Sequence, residues 1–148
     1  MRRLTVLAGL IAFGATAAYA AQNLAVIKER KDHYETMGKS VKAPNKAFKG
    51  EAPFDLKAVK AALKVIQEKT AVLPKLFPDD SKTGGDTEAL PKIWENKADF
   101  EGRFKKFGEA AKAAEGSITD EATFKAQWKD LMGNCSGCHK EYRKEKKK

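Results

Sequence analysis

The sequence predicts an all-α fold, an antiparallel four-helix bundle, and three observations carry that prediction. Four separate stretches repeat apolar residues at three-, four- and seven-residue spacing, the period of a helix that buries one face. No stretch alternates apolar and polar residues as a half-buried strand does. The connections between the four stretches are short except for one, which lays consecutive helices antiparallel. The chain of 148 residues has the size of one domain. With 42% hydrophobic and 33% charged residues it is a folding sequence rather than a disordered one.

The N-terminus reads as an address. Arg2 and Arg3 give a basic start, Leu4 to Ala18 carries no charge, and Ala18-Tyr19-Ala20 has the small-x-small form of a cleavage site. This is the plan of a secretory signal peptide over residues 1–20. A membrane anchor is the other reading of an uncharged run that reaches Asn23, but the run is rich in Ala and Gly and ends in the cleavage pattern. The Arg2-Arg3 pair invites a twin-arginine route, which nothing around it supports. The mature domain is then 21–148, with 27 basic and 20 acidic residues and a formal charge of +7. No later run is apolar enough to span a bilayer, so the product is expected to be soluble in an oxidising compartment.

The first helix shows Ile27, Tyr34, Val41 and Phe48, seven apart, with Arg30, Met37 and Pro44 between them. Pro44 is expected to kink or interrupt it near its end, because proline lacks the amide hydrogen that a helix needs. Gly50 is the expected stop, with Pro53 beyond it. The second helix carries Leu56, Val59, Leu63, Ile66, Thr70 and Leu73. Asp55 precedes it as an N-cap, since a short carboxylate accepts the orphan amide bonds of a first turn, and Pro74 closes it. Lys75 to Leu90 holds Pro78, Asp79, Asp80, Ser81, Gly84 and Gly85, a loop long enough to help cover a ligand. Pro91 sits where the first turn of a helix tolerates proline. The third helix shows Ile93, Phe100, Phe104, Phe107, Ala111 and Ala114 and ends at Gly116. Thr119 or Asp120 caps the fourth, whose stripe is Phe124, Trp128, Leu131, Cys135, Cys138 and Tyr142.

The chemistry concentrates in Cys135-Ser136-Gly137-Cys138-His139. Two cysteines, two spacers and an adjacent histidine form the attachment pattern of c-type haem. On a helix the two cysteines are neighbours on one face, so their thiols can add to the two vinyl groups along one porphyrin edge. His139 follows at once and can aim its imidazole at the iron, while the small Ser136 and Gly137 leave room for the ring. A thioredoxin-like redox site would need a βαβ context, which is absent. A zinc site would need further ligands at zinc spacing. A disulfide would close too short a loop to stabilise much. Both cysteines and one of only two histidines fall in this window, which points to one covalent haem c.

The lysines lie mostly off the stripes and read as a solvated surface. The basic tail Lys140–Lys148 could suggest nucleic acid, but the export signal and the lack of a recognition motif argue against it. An acidic protein partner fits the charge.

The haem motif lies near the C-terminus, on the last helix. Phe48-Lys49-Gly50-Glu51-Ala52-Pro53-Phe54-Asp55 looks like the first interhelical junction of the class II c-type cytochromes. Gly84-Gly85-Asp86 followed by Pro91-Lys92-Ile93-Trp94 is similar to their entry to the third helix, and Cys138-His139-Lys140-Glu141-Tyr142-Arg143-Lys144 to their ending. In this order and spacing the mature chain resembles the cytochrome c′ family. The resemblance implies Cys135 and Cys138 as thioether sites and His139 as the axial iron ligand. It implies an open sixth iron position crowded by a bulky side chain of the first helix, where low-spin members of the class place a methionine ligand. Counting back from Lys49-Gly50, that position is Tyr34, which also lies on the inward stripe.

Met37, one turn further on, is the rival, since a thioether binds haem iron; otherwise it is core filler. His33 lies beside the stripe among charges and reads as solvent-facing. Arg30 is on the inward stripe and needs an anion or an exit to water. A haem propionate would supply the anion, and snorkelling to the surface is the alternative. The resemblance adds Lys31 to the propionate edge, and Lys82 and Thr83 from the long loop. It places Arg143 beside the proximal histidine, four residues after His139 and so on the same helix face; surface charge is the bland alternative.

The resemblance implies a periplasmic, five-coordinate, high-spin haem protein that binds nitric oxide or carbon monoxide, with electron transfer also assigned to the class. The alternative is a six-coordinate low-spin electron carrier with Met37 on the iron. An enzyme such as a peroxidase would need distal acid–base groups, and the first helix offers only Tyr34 on the right face, so no catalytic residue is assigned. The expected partners are a redox protein of unknown identity and a second copy docked through the first two helices. Neither nucleic acid nor, after cleavage of the leader, a membrane span is expected.

Overall fold

The computed structural model describes residues 15–145, with side chains from Leu24 onward. The leader assignment falls largely on residues 1–14, outside the described residues, and so do the last three lysines of the tail. Among the described residues six α-helices are present: α1 (Ala15–Ser40), α2 (Lys42–Phe48), α3 (Leu56–Val72), α4 (Lys92–Glu95), α5 (Lys97–Ser117) and α6 (Glu121–Tyr142). α1, α3, α5 and α6 form the four-helix bundle, and no strand occurs among the described residues. No described helix is long and apolar enough to cross a membrane.

Pro44 acts as expected, but its effect appears at Val41. A proline has no amide hydrogen for the carbonyl four residues back, and its ring clashes with that carbonyl; here that carbonyl belongs to Ser40, where α1 ends. α2 then runs to a Schellman ending. Gly50 takes φ 76°, the Glu51 amide donates to Lys46 O (2.9 Å) and the Gly50 amide to Ala47 O (3.1 Å). Asp55 caps α3, its Oδ1 accepting from the amides of Lys57 (2.8 Å) and Ala58 (3.1 Å). Val59, Ala62, Leu63, Ile66 and Thr70 form its buried face.

The third helix does not start at Pro91 as one piece. α4 is a single turn, and Asn96 (φ −126°, ψ 49°) breaks it from α5. The break accompanies an anchor: Trp94 donates its indole N–H to Phe77 O (3.1 Å) and Pro78 O (3.2 Å), tying α4 to the long loop. Asp120, rather than Thr119, caps α6 through a reciprocal box with Thr123. The long loop contains two 3-10 turns, Leu73–Leu76 and Asp79–Ser81. It is stapled to the end of α6 by Leu90 N–H to Tyr142 O (3.0 Å) and Lys144 N–H to Glu88 O (2.8 Å).

The core is divided. One cluster gathers Leu63, Ile66, Phe107, Phe124, Trp128 and Leu131, and a second gathers Leu73, Phe77, Ile93, Phe100, Phe104 and Tyr142. Cys135 packs on the first, Cys138 on the second, and Met37 on both. The two cysteines therefore bridge the division.

Candidate haem site

A cavity of about 760 Å³ is bordered by residues of both clusters, between α1, α5, α6 and the loop. Its volume lies in the ~300–1,000 Å³ range of cofactor and ligand pockets. Cys135, Cys138 and His139 border it from α6, and Tyr34 and Met37 from α1. Phe104 and Phe107 of α5 add apolar wall, with the rings of Tyr34 and Phe104 6.5 Å apart. Both cysteines are half-buried free thiols. Burial pushes the Cys135 thiol up to about 11. It also raises Cys138, against the opposing pull of the Arg103 guanidinium. Two neutral thiols and an imidazole at the wall of one large cavity fit a c-type haem. Among the described residues no group of three or more His, Cys, Asp or Glu side chains is gathered to hold a metal ion.

Tyr34 is half-buried, and burial, followed by the nearby Cys138 thiol, raises its phenol well above the ordinary value. It therefore borders the cavity as a neutral phenol. His33 does not border the cavity; its Nε2 lies 3.8 Å from Glu29 Oε1.

Arg30 is only 3% exposed, so it does not snorkel. Nη1 donates to Ser81 Oγ (3.0 Å) and Leu76 O (3.4 Å), and Nη2 to Ser81 O (3.1 Å) and Thr87 Oγ1 (2.5 Å). The guanidinium also stacks 4.6 Å from the centre of the Phe77 ring. Arg30 thus clamps the long loop to α1. Lys31 stands at the rim with Nζ 3.3 Å from Asp86 Oδ2.

Lys82 and Thr83 are exposed and are not among the described residues bordering the cavity. Lys82 pairs instead with Asp79 (2.9 Å) and lies over the Trp94 ring. The loop residues at the cavity are Asp86, Thr87, Glu88 and Ala89. Arg143 borders the cavity but not on a helix face: it has extended geometry (φ −120°, ψ 139°) just past α6. Its amide still donates to His139 O (3.1 Å), and its Nε lies 3.9 Å from Glu88 Oε2.

Sequence reasoning missed Arg103 and Asp99. Arg103 borders the cavity from α5. Its Nε donates to Asp99 Oδ2 (2.8 Å), Nη1 to Gly137 O (3.3 Å), and its guanidinium lies over the Tyr142 ring. The available signal was its place between Phe100 and Phe104 on the apolar stripe of α5, next to the inward face.

A four-helix bundle that presents two thiols and a histidine of this spacing to one cavity defines a c-type haem protein. The sequence model of Cytochrome C' matches residues 25–143. Cytochrome c' of Rhodopseudomonas palustris is 45% identical over 144 residues, 97% of each chain. Cytochrome c-556 of the same organism is 33% identical over 97% of each. The solved cytochrome c' from Rhodopseudomonas palustris superposes with a TM-score of 0.80 at 48% identity, covering 82% of this chain and 98% of that one. The chain belongs to the cytochrome c′ family.

Proposed function

We propose that the mature protein carries one haem c, joined through thioether bonds to Cys135 and Cys138 and ligated by His139. Its sixth iron position is open, and its role is the binding of nitric oxide or carbon monoxide in the bacterial periplasm, with electron transfer as a companion role. One observation supports the reading: Tyr34, the residue that the count from Lys49-Gly50 gives as distal, borders the same cavity as the haem motif, with Met37 one turn further along its wall. The bound haem supplies an iron that takes a diatomic ligand and exchanges one electron.

Burial keeps the Tyr34 phenol protonated, so it walls the iron without binding it and excludes water. Met37 packs against both core clusters and serves as filler. Arg30 holds the loop that contributes Asp86, Thr87 and Glu88 to the rim, and Lys31 with Arg30 marks the propionate edge. Arg143 adds positive charge near His139, tempered by Glu88. The binding of a diatomic ligand and the exchange of one electron call on no acid–base residue, so this reading assigns no catalytic role and the protein acts as a binder and carrier. Export by the residue 1–20 leader, docking to a redox protein and pairing of two copies through the first two helices belong to the same reading.

Optical and electron paramagnetic resonance spectra of the purified ferric and ferrous protein test it. High-spin, five-coordinate spectra and haem retained under acid–acetone extraction are expected. A low-spin spectrum that turns high-spin in Met37→Ala would instead make the protein a six-coordinate carrier.

A further inference from the structure

Two described tyrosines border the cavity, and they differ in burial and in the partner of the phenol. Tyr34 has no carboxylate hydrogen-bonded to its phenol among the described residues. Tyr142 is 4% exposed and donates its hydroxyl to Asp99 Oδ2 at 2.5 Å. The same oxygen accepts from Arg103 Nε at 2.8 Å, and Arg103 lies 5.3 Å from the centre of the Tyr142 ring. Asp99 is itself half-exposed. Tyr142 is thus an enclosed phenol at the haem wall with a fixed proton acceptor that opens to water. The Tyr142–Asp99–Arg103 cluster spans α6 and α5, and the proposed binding of haem and gas does not use it.

We propose that Tyr142 is a redox-active tyrosine that donates an electron to the haem site when the ferrous protein meets a hydroperoxide, with Asp99 taking its proton. The inference rests on the open iron position proposed above. Cleaving a peroxide O–O bond to water and an alcohol, or to two waters for hydrogen peroxide, consumes two electrons. Ferrous iron going to ferric supplies one. Without a second donor the other fragment leaves as a hydroxyl or alkoxyl radical. Tyr142 supplies the second electron: its phenolic O–H bond breaks, an O–H bond forms on Asp99, and a neutral phenoxyl radical remains. Asp99 then releases that proton to the water it faces, and solvent supplies the two protons that the water and the alcohol take up, which completes the balance. Proton transfer along a bond already made removes the cost of leaving a charged phenol radical in a buried place. The Arg103 hydrogen bond holds the carboxylate in position. The aromatic neighbour Phe100, with ring centroids 5.2 Å away, encloses the radical. Trp94 offers no equivalent route, since its N–H faces only backbone carbonyls, which do not take a proton.

The test mixes ferrous holoprotein with one equivalent of hydrogen peroxide and freezes it for electron paramagnetic resonance, with a spin trap in a parallel sample. Wild type is expected to give ferric haem, a tyrosyl signal and little trapped hydroxyl radical. Tyr142→Phe, which keeps the ring and its packing, should lose the tyrosyl signal and raise the trapped radical. Asp99→Asn should lower the tyrosyl yield, and Asp99→Glu should restore it; Trp94→Phe should leave it in place. Haem that peroxide does not oxidise overturns the open-site reading and this inference with it. Oxidised haem with no tyrosyl signal, or with an undiminished one in Tyr142→Phe, overturns this inference alone.

Discussion

Arg30 is a buried cation held, among the described residues, by neutral oxygens alone, and burial lowers its pKa from the ordinary value. Hydrogen bonds to a charged group contribute about 1.5–3 kcal/mol each. Arg30→Ala should therefore cost about 3 kcal/mol or more in urea unfolding of the holoprotein, and Arg30→Lys should rescue little, because one ammonium cannot serve both Ser81 and Thr87. A loss below about 1 kcal/mol would show that the loop holds without the clamp. Tyr34→Ala should speed carbon monoxide association measured by stopped flow; an unchanged rate would remove Tyr34 from the distal wall. Asp99 and Tyr142 give opposite pH limbs. The Tyr142 bond, then Arg103, holds the Asp99 carboxyl below its usual value. Its stabilisation is present above the unfolded value of about 4 and is lost as the pH falls through the folded value. Burial, then the bond to Asp99, pushes the Tyr142 phenol up to about 12. Its stabilisation is whole below about pH 10 and is lost as the pH rises through the folded value. In a plot of urea midpoint against pH, Asp99→Asn should flatten the acid limb and Tyr142→Phe the alkaline one.

At the scale of helices, the close approach of α3 and α5 depends on Gly108. A Cβ there would stand 2.7 Å from Thr70 Oγ1. Thr70 is buried and cannot swing aside, because its hydroxyl already donates to Ile66 O (2.8 Å). Gly108→Ala should thus destabilise the protein by about 1–3 kcal/mol, although alanine is the better helix former. Chemical unfolding of the holoprotein checks the sign; a stabilised variant would mean that the two helices part at no cost. The ends of the helices are set more locally. Asp55, Gly50 and the Asp120–Thr123 box each satisfy orphan backbone groups within a few residues.

For the whole molecule, the division of the core has a thermodynamic consequence. A cavity of about 760 Å³ is bordered by both apolar clusters, and a ligand that binds only the folded state stabilises it. The apoprotein should melt at a clearly lower temperature than the holoprotein by circular dichroism. The loss of packing should be felt first where Tyr34, Met37 and the two cysteines line the gap. Equal melting temperatures would mean that the bundle closes over the cavity without its cofactor. The basic surface, with a formal charge of +9 for the whole chain, acts at longer range and bears on association rather than on folding.

Chain-local chemistry was legible from the residues themselves. Helical stripes, caps and the spacing of Cys135, Cys138 and His139 are periodic or adjacent features, and each depends on contacts within a few residues. That is why the four long helices, the Asp55 and Gly50 ends and the haem motif could be read without coordinates. The break at Asn96 could not be, because it accompanies an anchor of Trp94 on carbonyls about sixteen residues away in the chain. Arg30 shows the same limit. Its stripe position announced a buried cation, but only the fold brought Ser81 and Thr87 to it from the loop. The family resemblance alone put Lys82 and Thr83 at the propionate edge, whereas Asp86, Thr87, Glu88 and Ala89 are the loop residues that line the cavity. Arg143 left the helix because the loop pairs with the chain end at Ala89. Asp99, Arg103 and Tyr142 met only across α5 and α6. The sequence by itself determined where the four long helices run and which residues can hold a haem, because those depend on local period and spacing. The tertiary structure alone decided which charges and phenols meet at the cavity, because those contacts join residues distant in the chain.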